Sequence, residues 1–261
     1  MTAVSVQALS WRYHQQTVLK DISFAIPVGS FVAILGKNGC GKSTLLRCLA
    51  GMLPIPSGTV FITGVDLGKA SSAERAKLIG YLPQFHEPVF PFTVEEVVLT
   101  GRTAQIFLTP SAQDYEKTWK ALQAVGIESL QHRPYTELSG GERQLVMITR
   151  IIAQAPQVIL LDEPLSHLDL CNQIHLLDLL KRLATQGITI LAVMHDPTLA
   201  LTYCDHHIFL QDGRLQLPPQ DAALYETFLS EIYHTPLKLI QFQGRSIVIP
   251  NQKILEVLKH V

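Results

Sequence analysis

A chain of 261 residues is long enough for one large domain or two small ones, with a sizeable core. Its 21 Lys and Arg against 22 Asp and Glu leave a net charge of −1, which excludes the basic balance of a nucleic-acid-binding surface. Charged residues make up 16% and apolar ones 47%, a balance expected of a sheet buried on both faces, or of an apolar surface kept for a membrane-embedded partner.

No apolar run approaches the roughly 18 residues that span a bilayer, and the first residues lack the basic and apolar regions of a secretory signal. Cys40, Cys48, Cys171 and Cys204 form no CxxC pair and no metal-ligand spacing, which suits a reducing compartment. The expectation is a cytosolic chain that can sit peripherally on a membrane.

In chain order, residues 4–9 and 22–26 alternate like short half-buried strands, with Pro27 and Gly29 turning the chain. Residues 31–35 (FVAIL) read as a buried strand and residues 45–50 as a helix. Pro54, Pro56 and Gly58 then break the chain before strands at 60–63 and 79–82. From 85 to 154 the pattern is helical. Thr93 and Glu96 form a capping box, and Pro110-Ser111 opens a helix with Trp119, Leu122 and Val125 on one face, ended by Gly126. Strands at 158–161, 189–194 and 208–210 then alternate with a helix over 170–186, which implies a parallel sheet wrapped by helices. Beyond Leu215 a helix at 221–233 and a hairpin at 238–249, turning near Gln243-Gly244, are expected. The last residues carry an apolar stripe at Ile254, Val257, Leu258 and Val261.

Between the first buried strand and its helix lie Gly36, Lys37, Asn38, Gly39, Cys40, Gly41, Lys42, Ser43 and Thr44. This is the P-loop form in its required strand–loop–helix setting. Glycines let consecutive backbone N–H groups converge on an anion, and the helix N-terminus adds partial positive charge. Lys42 would pair with the β- and γ-phosphates, and the Ser43 hydroxyl would hold Mg²⁺. The chain is therefore expected to bind a nucleoside triphosphate.

Two further segments bear on what the triphosphate is for. Residues 158–164 (VILLDEP) end an apolar strand in Asp162, where a carboxylate would hold Mg²⁺ beside the phosphates. Glu163 follows and could orient or deprotonate a water, a role worth typically 10²–10⁴-fold in rate. Taken alone, Asp-Glu-Pro is also a helix-start signal. Residues 138–142 (LSGGE) form a capping box for the next helix, and Ser139, Gly140 and Gly141 also leave a hydroxyl and free N–H groups for an anion. A second copy docked head to tail would supply that anion through its nucleotide.

The set formed by the P-loop, Gln84, LSGGE, Asp162-Glu163, residues 166–169 (SHLD) and His195 resembles the nucleotide-binding subunit of an ATP-binding cassette (ABC) transporter, over roughly residues 1–215. The resemblance implies an α/β P-loop NTPase fold with a parallel core sheet, an N-terminal antiparallel β subdomain and an inserted α-helical subdomain. Its divisions would be a core at 1–84 and 157–215, a helical signature subdomain at 85–156, and an extension at 216–261. It implies Tyr13 stacked on adenine, Gln84 at Mg²⁺ or the attacking water, Asp169 at a dimer interface, and His195 at the γ-phosphate. Catalysis would fall to Glu163, His195 and Gln84, and Mg²⁺ to Ser43, Gln84 and Asp162. Departures stand at Leu165, where Thr is usual, and at Leu145 and Thr149 in the helix after LSGGE.

Within that family, residues 91–102 (PFTVEEVVLTGR), 195–200 (HDPTLA), 230–233 (SEIY) and 244–250 (GRSIVIP) resemble importer subunits serving iron–siderophore, haem, cobalamin or molybdate. Zinc and manganese importers are the alternative, and a soluble non-transport ATPase or a stand-alone export cassette comes after them. The implied partners are a second copy, two transmembrane permease subunits and, indirectly, a substrate-binding protein, with no nucleic acid. The implied place is the cytoplasmic face of the inner membrane.

Overall fold

The computed structural model describes residues 1–84, 91–106, 108–219 and 221–251. The stripe at 254–261 lies outside the described residues, as does most of the stretch just after Gln84. Two twelve-residue strands, β1 (Thr2–Tyr13) and β2 (Gln16–Pro27), open the chain as one hairpin. They are longer than the short strands expected from sequence, because register shifts between Val6 and Tyr13 interrupt the alternation without ending the ladder. Ala8, at φ 49°, sits in one of these irregularities and donates its N–H to the Ser23 hydroxyl.

Strand β3 (Phe31–Leu35) leads through the P-loop into α1 (Lys42–Leu49), which begins three residues earlier than expected. Short strands β4 (Val60–Ile62) and β5 (Val65–Asp66) join the hairpin in an antiparallel sheet ordered β2-β1-β4-β5. Helix α2 (Ser72–Leu78), absent from the sequence reading, is started by a Ser71–Glu74 capping box and runs into β6 (Ile79–Leu82). The helical stretch holds α3 (Val94–Leu99), α4 (Ala112–Val125) and α5 (Gly140–Gln154). Then follow β7 (Val158–Asp162), α6 (Leu170–Thr185), β8 (Thr189–Val193), α7 (Pro197–Tyr203), β9 (His206–Gln211) and β10 (Arg214–Gln216). Helix α8 (Ala222–Tyr233) and the hairpin of β11 (Leu237–Phe242) and β12 (Arg245–Pro250) close the described chain.

The central sheet is ordered β10-β9-β3-β8-β7-β6, parallel from β9 to β6, with β10 antiparallel at one edge. Strands β3, β7 and β8 are buried at every position, as a sheet covered on both faces requires. Phe31, Ala33 and Leu35 face one core, shared with Leu122, Val146 and Leu176 of the helices. Val32 and Ile34 face the other, with Leu45 and Leu49 of α1 and with Val4, Leu9 and Ile22 of the antiparallel sheet. Each of the Val, Leu, Ile and Phe side chains contributes roughly 1.5–3 kcal/mol by burial.

The helical stretch is fixed at two points. Gly101 lies so close to α5 that a Cβ there would overlap the Arg150 carbonyl oxygen. Arg102 is buried, pairs with Asp114 at 3.2 Å and donates to the Ala153 carbonyl at 3.1 Å. One expectation fails. Leu122 and Val125 of α4 are buried with Thr118 and Ala121, but Trp119 lies off that face and is 38% exposed. Position 119 is one residue beyond 118, about 100° around the helix, and the narrow apolar stripe stops short of it.

Candidate functional site

The site forms at the carboxyl ends of β3, β7 and β8, where the loops after three parallel strands meet. At the end of β3 the chain turns through Gly36, Gly39 and Gly41, all at positive φ. Gly36 is required for another reason as well: a Cβ there would overlap the Leu210 carbonyl oxygen of β9. Gly41, at φ 109°, precedes the first turn of α1, so the helix N–H groups open onto the loop rather than into a side-chain cap. Lys42 is 6% exposed and folds back, its ammonium donating to the carbonyls of Gly36 at 2.7 Å and Lys37 at 3.1 Å. A cation satisfied by only two carbonyls in a nest of N–H groups can transfer to an arriving polyanion.

These elements enclose a cavity of about 350 Å³, lined by Asn38, Gly39, Gly41, Lys42, Ser43, Thr44, Gln84, Glu163, His195 and Val18. Asp162, fully buried at the end of β7, lies behind the lining residue Ser43. Its Oδ1 accepts from the Ser43 hydroxyl at 3.0 Å, while its Oδ2 is buried without a hydrogen-bond partner. Burial pushes the Asp162 carboxyl above its ordinary range; the Ser43 hydrogen bond opposes this, and the Glu163 charge adds to it. An orphaned carboxylate oxygen beside a hydroxyl is a hard, oxygen-donor set that fits Mg²⁺. Glu163 sits at φ 55°, an unfavourable conformation for a residue with a Cβ, and its Oε1 meets His195 Nε2 at 2.8 Å. Thirty-two positions apart in sequence, the two are direct neighbours because β7 and β8 are adjacent.

A family model described as ABC transporter matches residues 19–166, more than half of the chain. The protein belongs to the ABC transporter family. Relatives align over almost its whole length. The ferric enterobactin transport ATP-binding protein FepC of Escherichia coli (strain K12) is 37% identical over 251 residues, 94% of this chain and 92% of the relative. The hemin import ATP-binding protein HmuV of Rhodococcus jostii (strain RHA1) is 36% identical over 239 residues, 90% of this chain and 82% of the relative. Among solved structures, one described as an inward-facing conformation of a metal-chelate type ABC transporter superposes with a TM-score of 0.83. Its sequence identity is 32%, and the match covers 98% of this chain and 100% of that one. The chain is thus an ABC ATPase with the P-loop NTPase fold.

In this ABC ATPase the expected site residues do not all meet. Ser139 caps α5, accepting from Glu142 N at 3.3 Å, and Gly140 and Gly141 form its first turn; none of the three lines the cavity. Asp169 caps α6, its carboxylate accepting from the backbone N–H of Asn172 at 2.8 Å, and it too lies outside the cavity. Tyr13 is 38% exposed, lies edge-on to Trp11, and does not line the cavity. Lys37 and Cys40 face a second cavity of about 380 Å³ on the other side of the loop, with Asp212 and His234. Burial pushes the Cys40 thiol up, which keeps it protonated. Val18 in the cavity wall was not foreseen, since one apolar residue in an alternating strand carries no signal of its own. No helix among the described residues is long and apolar enough to cross a membrane.

Proposed function

We propose that this ABC ATPase powers import of an iron chelate, of siderophore or haem type, through a pair of membrane permease subunits. The supporting observation is the likeness to the ferric enterobactin and hemin subunits, which runs through the C-terminal helix and hairpin as well as the P-loop core. The core would comprise residues 1–84 and 157–215, with 85–156 as the signature arm and 216–261 as an extension. Two copies would close head to tail, so that each nucleotide lies between the P-loop of one and Ser139, Gly140 and Gly141 of the other. Those three residues lie outside the cavity of their own chain, which favours this composite arrangement. Asp169, on the α6 N-cap, would lie at the same interface, and Tyr13 would stack on the adenine.

In that arrangement the loop N–H groups and Lys42 bind the triphosphate, the ammonium exchanging its two carbonyls for phosphate oxygens. Ser43 and Asp162, with Gln84, would hold Mg²⁺, which when bound neutralises charge on the β- and γ-phosphates. Glu163 accepts the proton of the attacking water. Its hydrogen bond to His195 must open first, and a γ-phosphate that takes the His195 N–H releases the carboxylate for water. Closure would be passed to the permease through the groove of about 630 Å³ between core and arm, where Met52, Tyr81, Pro83, Ala104 and Met147 offer an apolar seat. The protein would then work at the cytoplasmic face of the membrane.

The test is reconstitution with its permease subunits and binding protein in vesicles. Ferric siderophore or haem on the binding protein should stimulate ATP hydrolysis and enter the lumen. Stimulation by zinc or manganese instead would transfer the chain to the alternative class.

A further inference from the structure

The loop after Glu163 is braced from three directions. Locally, the N–H and the hydroxyl of Ser166 both donate to the Glu163 carbonyl, at 3.2 and 2.8 Å. From α6, the Gln173 amide donates to the carbonyls of Leu165 at 3.2 Å and Leu168 at 3.1 Å. The third brace comes from α5. Gln144 is 3% exposed, and its Nε2 donates to the Pro164 carbonyl, one residue from Glu163, at 3.1 Å. The first turn of the same helix touches the loop again. A Cβ on Gly140 would lie 3.6 Å from the Cβ of His167, and one on Gly141 only 3.0 Å from the His167 carbonyl oxygen. His167 itself is held at φ 65°.

We propose that Gln144 is a positioning residue for Glu163, tying the signature helix to the peptide that follows the catalytic carboxylate. The proposal rests on the reading of Glu163 as the group that accepts the proton of water. The proline ring fixes φ at residue 164, so fixing its carbonyl leaves Glu163 little backbone freedom. Gln144 lies five residues after Ser139 on one rigid helix. A shift of α5 as two copies close is therefore delivered to the carboxylate through one buried hydrogen bond. Gly140 and Gly141 then have two uses: bare N–H groups for the partner's nucleotide, and the close approach that brings Gln144 within reach.

The test uses the full-length chain. Gln144→Met keeps length and burial but removes the donor; Gln144→Glu donates only when its carboxyl is protonated. Gln144→Met should leave ATP affinity within about twofold, lower turnover about tenfold, and speed hydrogen exchange at the amides of Ser166 and Leu168 while β7 stays protected. In a Glu163→Gln background it should change the residual turnover no further, because both act through one group. Gln144→Glu should regain turnover relative to wild type as pH falls, whereas Gln144→Met should not. Wild-type turnover and exchange in Gln144→Met would overturn the proposal, as would an equal tenfold loss in the Glu163→Gln background. If Glu163→Gln alone turns over normally, the role of Glu163 falls first, and the exchange pattern alone decides whether Gln144 holds the loop.

Discussion

Replacing Glu163 by Gln removes a charge and a proton acceptor while leaving shape almost unchanged. The backbone strain at φ 55° belongs to the loop and is the same for either residue. The 2.8 Å hydrogen bond to His195 survives, since an amide oxygen accepts the Nε2–H as a carboxylate does. The side chain is 19% exposed, so little packing changes. Stability and nucleotide binding should therefore hold, and affinity should rise if anything, because one negative charge leaves a cavity that receives a polyanion. Loss of a positioned base costs typically 10²–10⁴ in rate, about 3–5.5 kcal/mol at 1.36 kcal/mol per tenfold. Phosphate release at saturating ATP measures the rate. Elution in the presence of ATP and Mg²⁺ should show a trapped ATP-bound dimer. Turnover within a few-fold of wild type would refute the assignment. A fall in turnover matched by an equal fall in ATP affinity would also refute it, by making Glu163 a binding group.

Lys42→Ala removes a buried ammonium that makes two hydrogen bonds in the loop; at about 1.5–3 kcal/mol per charged contact, ATP should bind at least tenfold more weakly by calorimetry, and unchanged turnover would sink the P-loop assignment. Asp162, raised above its ordinary 3.8 chiefly by burial, adds most to stability below that value and loses it as pH rises through the raised value, so at neutral pH the charge is a net cost. Asp162→Asn should accordingly raise the nucleotide-free melting temperature at pH 7, roughly 2–4 °C for each kcal/mol recovered, and abolish Mg²⁺-dependent hydrolysis; a lower melting temperature would contradict the burial argument. Gly101→Ala would drive a Cβ into the Arg150 carbonyl oxygen and should cost about 1–3 kcal/mol or more, seen as a lower melting temperature with the ATP affinity of the folded fraction intact. Cys40, partly buried on the second cavity with its thiol pushed up by burial, should react slowly with a maleimide while exposed Cys171 labels freely, and equally fast labelling of both, read by peptide mass spectrometry, would contradict that placement.

What the sequence by itself determined is local. The P-loop, the Thr93–Glu96 and Ser139–Glu142 capping boxes and the 237–250 hairpin were all readable, because each is set by groups within a few residues of one another. The fully apolar runs at 31–35, 158–161 and 190–193 announced a sheet covered on both faces, though not its order. Family membership was legible for the same reason, since its motifs are short and stand in a fixed sequence. The tertiary structure decided what depends on neighbours far apart in the chain. Only the adjacency of β7 and β8 brings Glu163 to His195, and only the approach of α5 to the loop after β7 puts Gln144 on the Pro164 carbonyl. Trp119 was misplaced because helical spacing gives a face but not its width, and the width is set by what packs against it. Strand order and helix docking are settled by long-range burial, for which no short motif is a proxy; most of the residues that line the cavity, though not Val18, stood in motifs visible in the sequence, but their hydrogen bonds could not be read there.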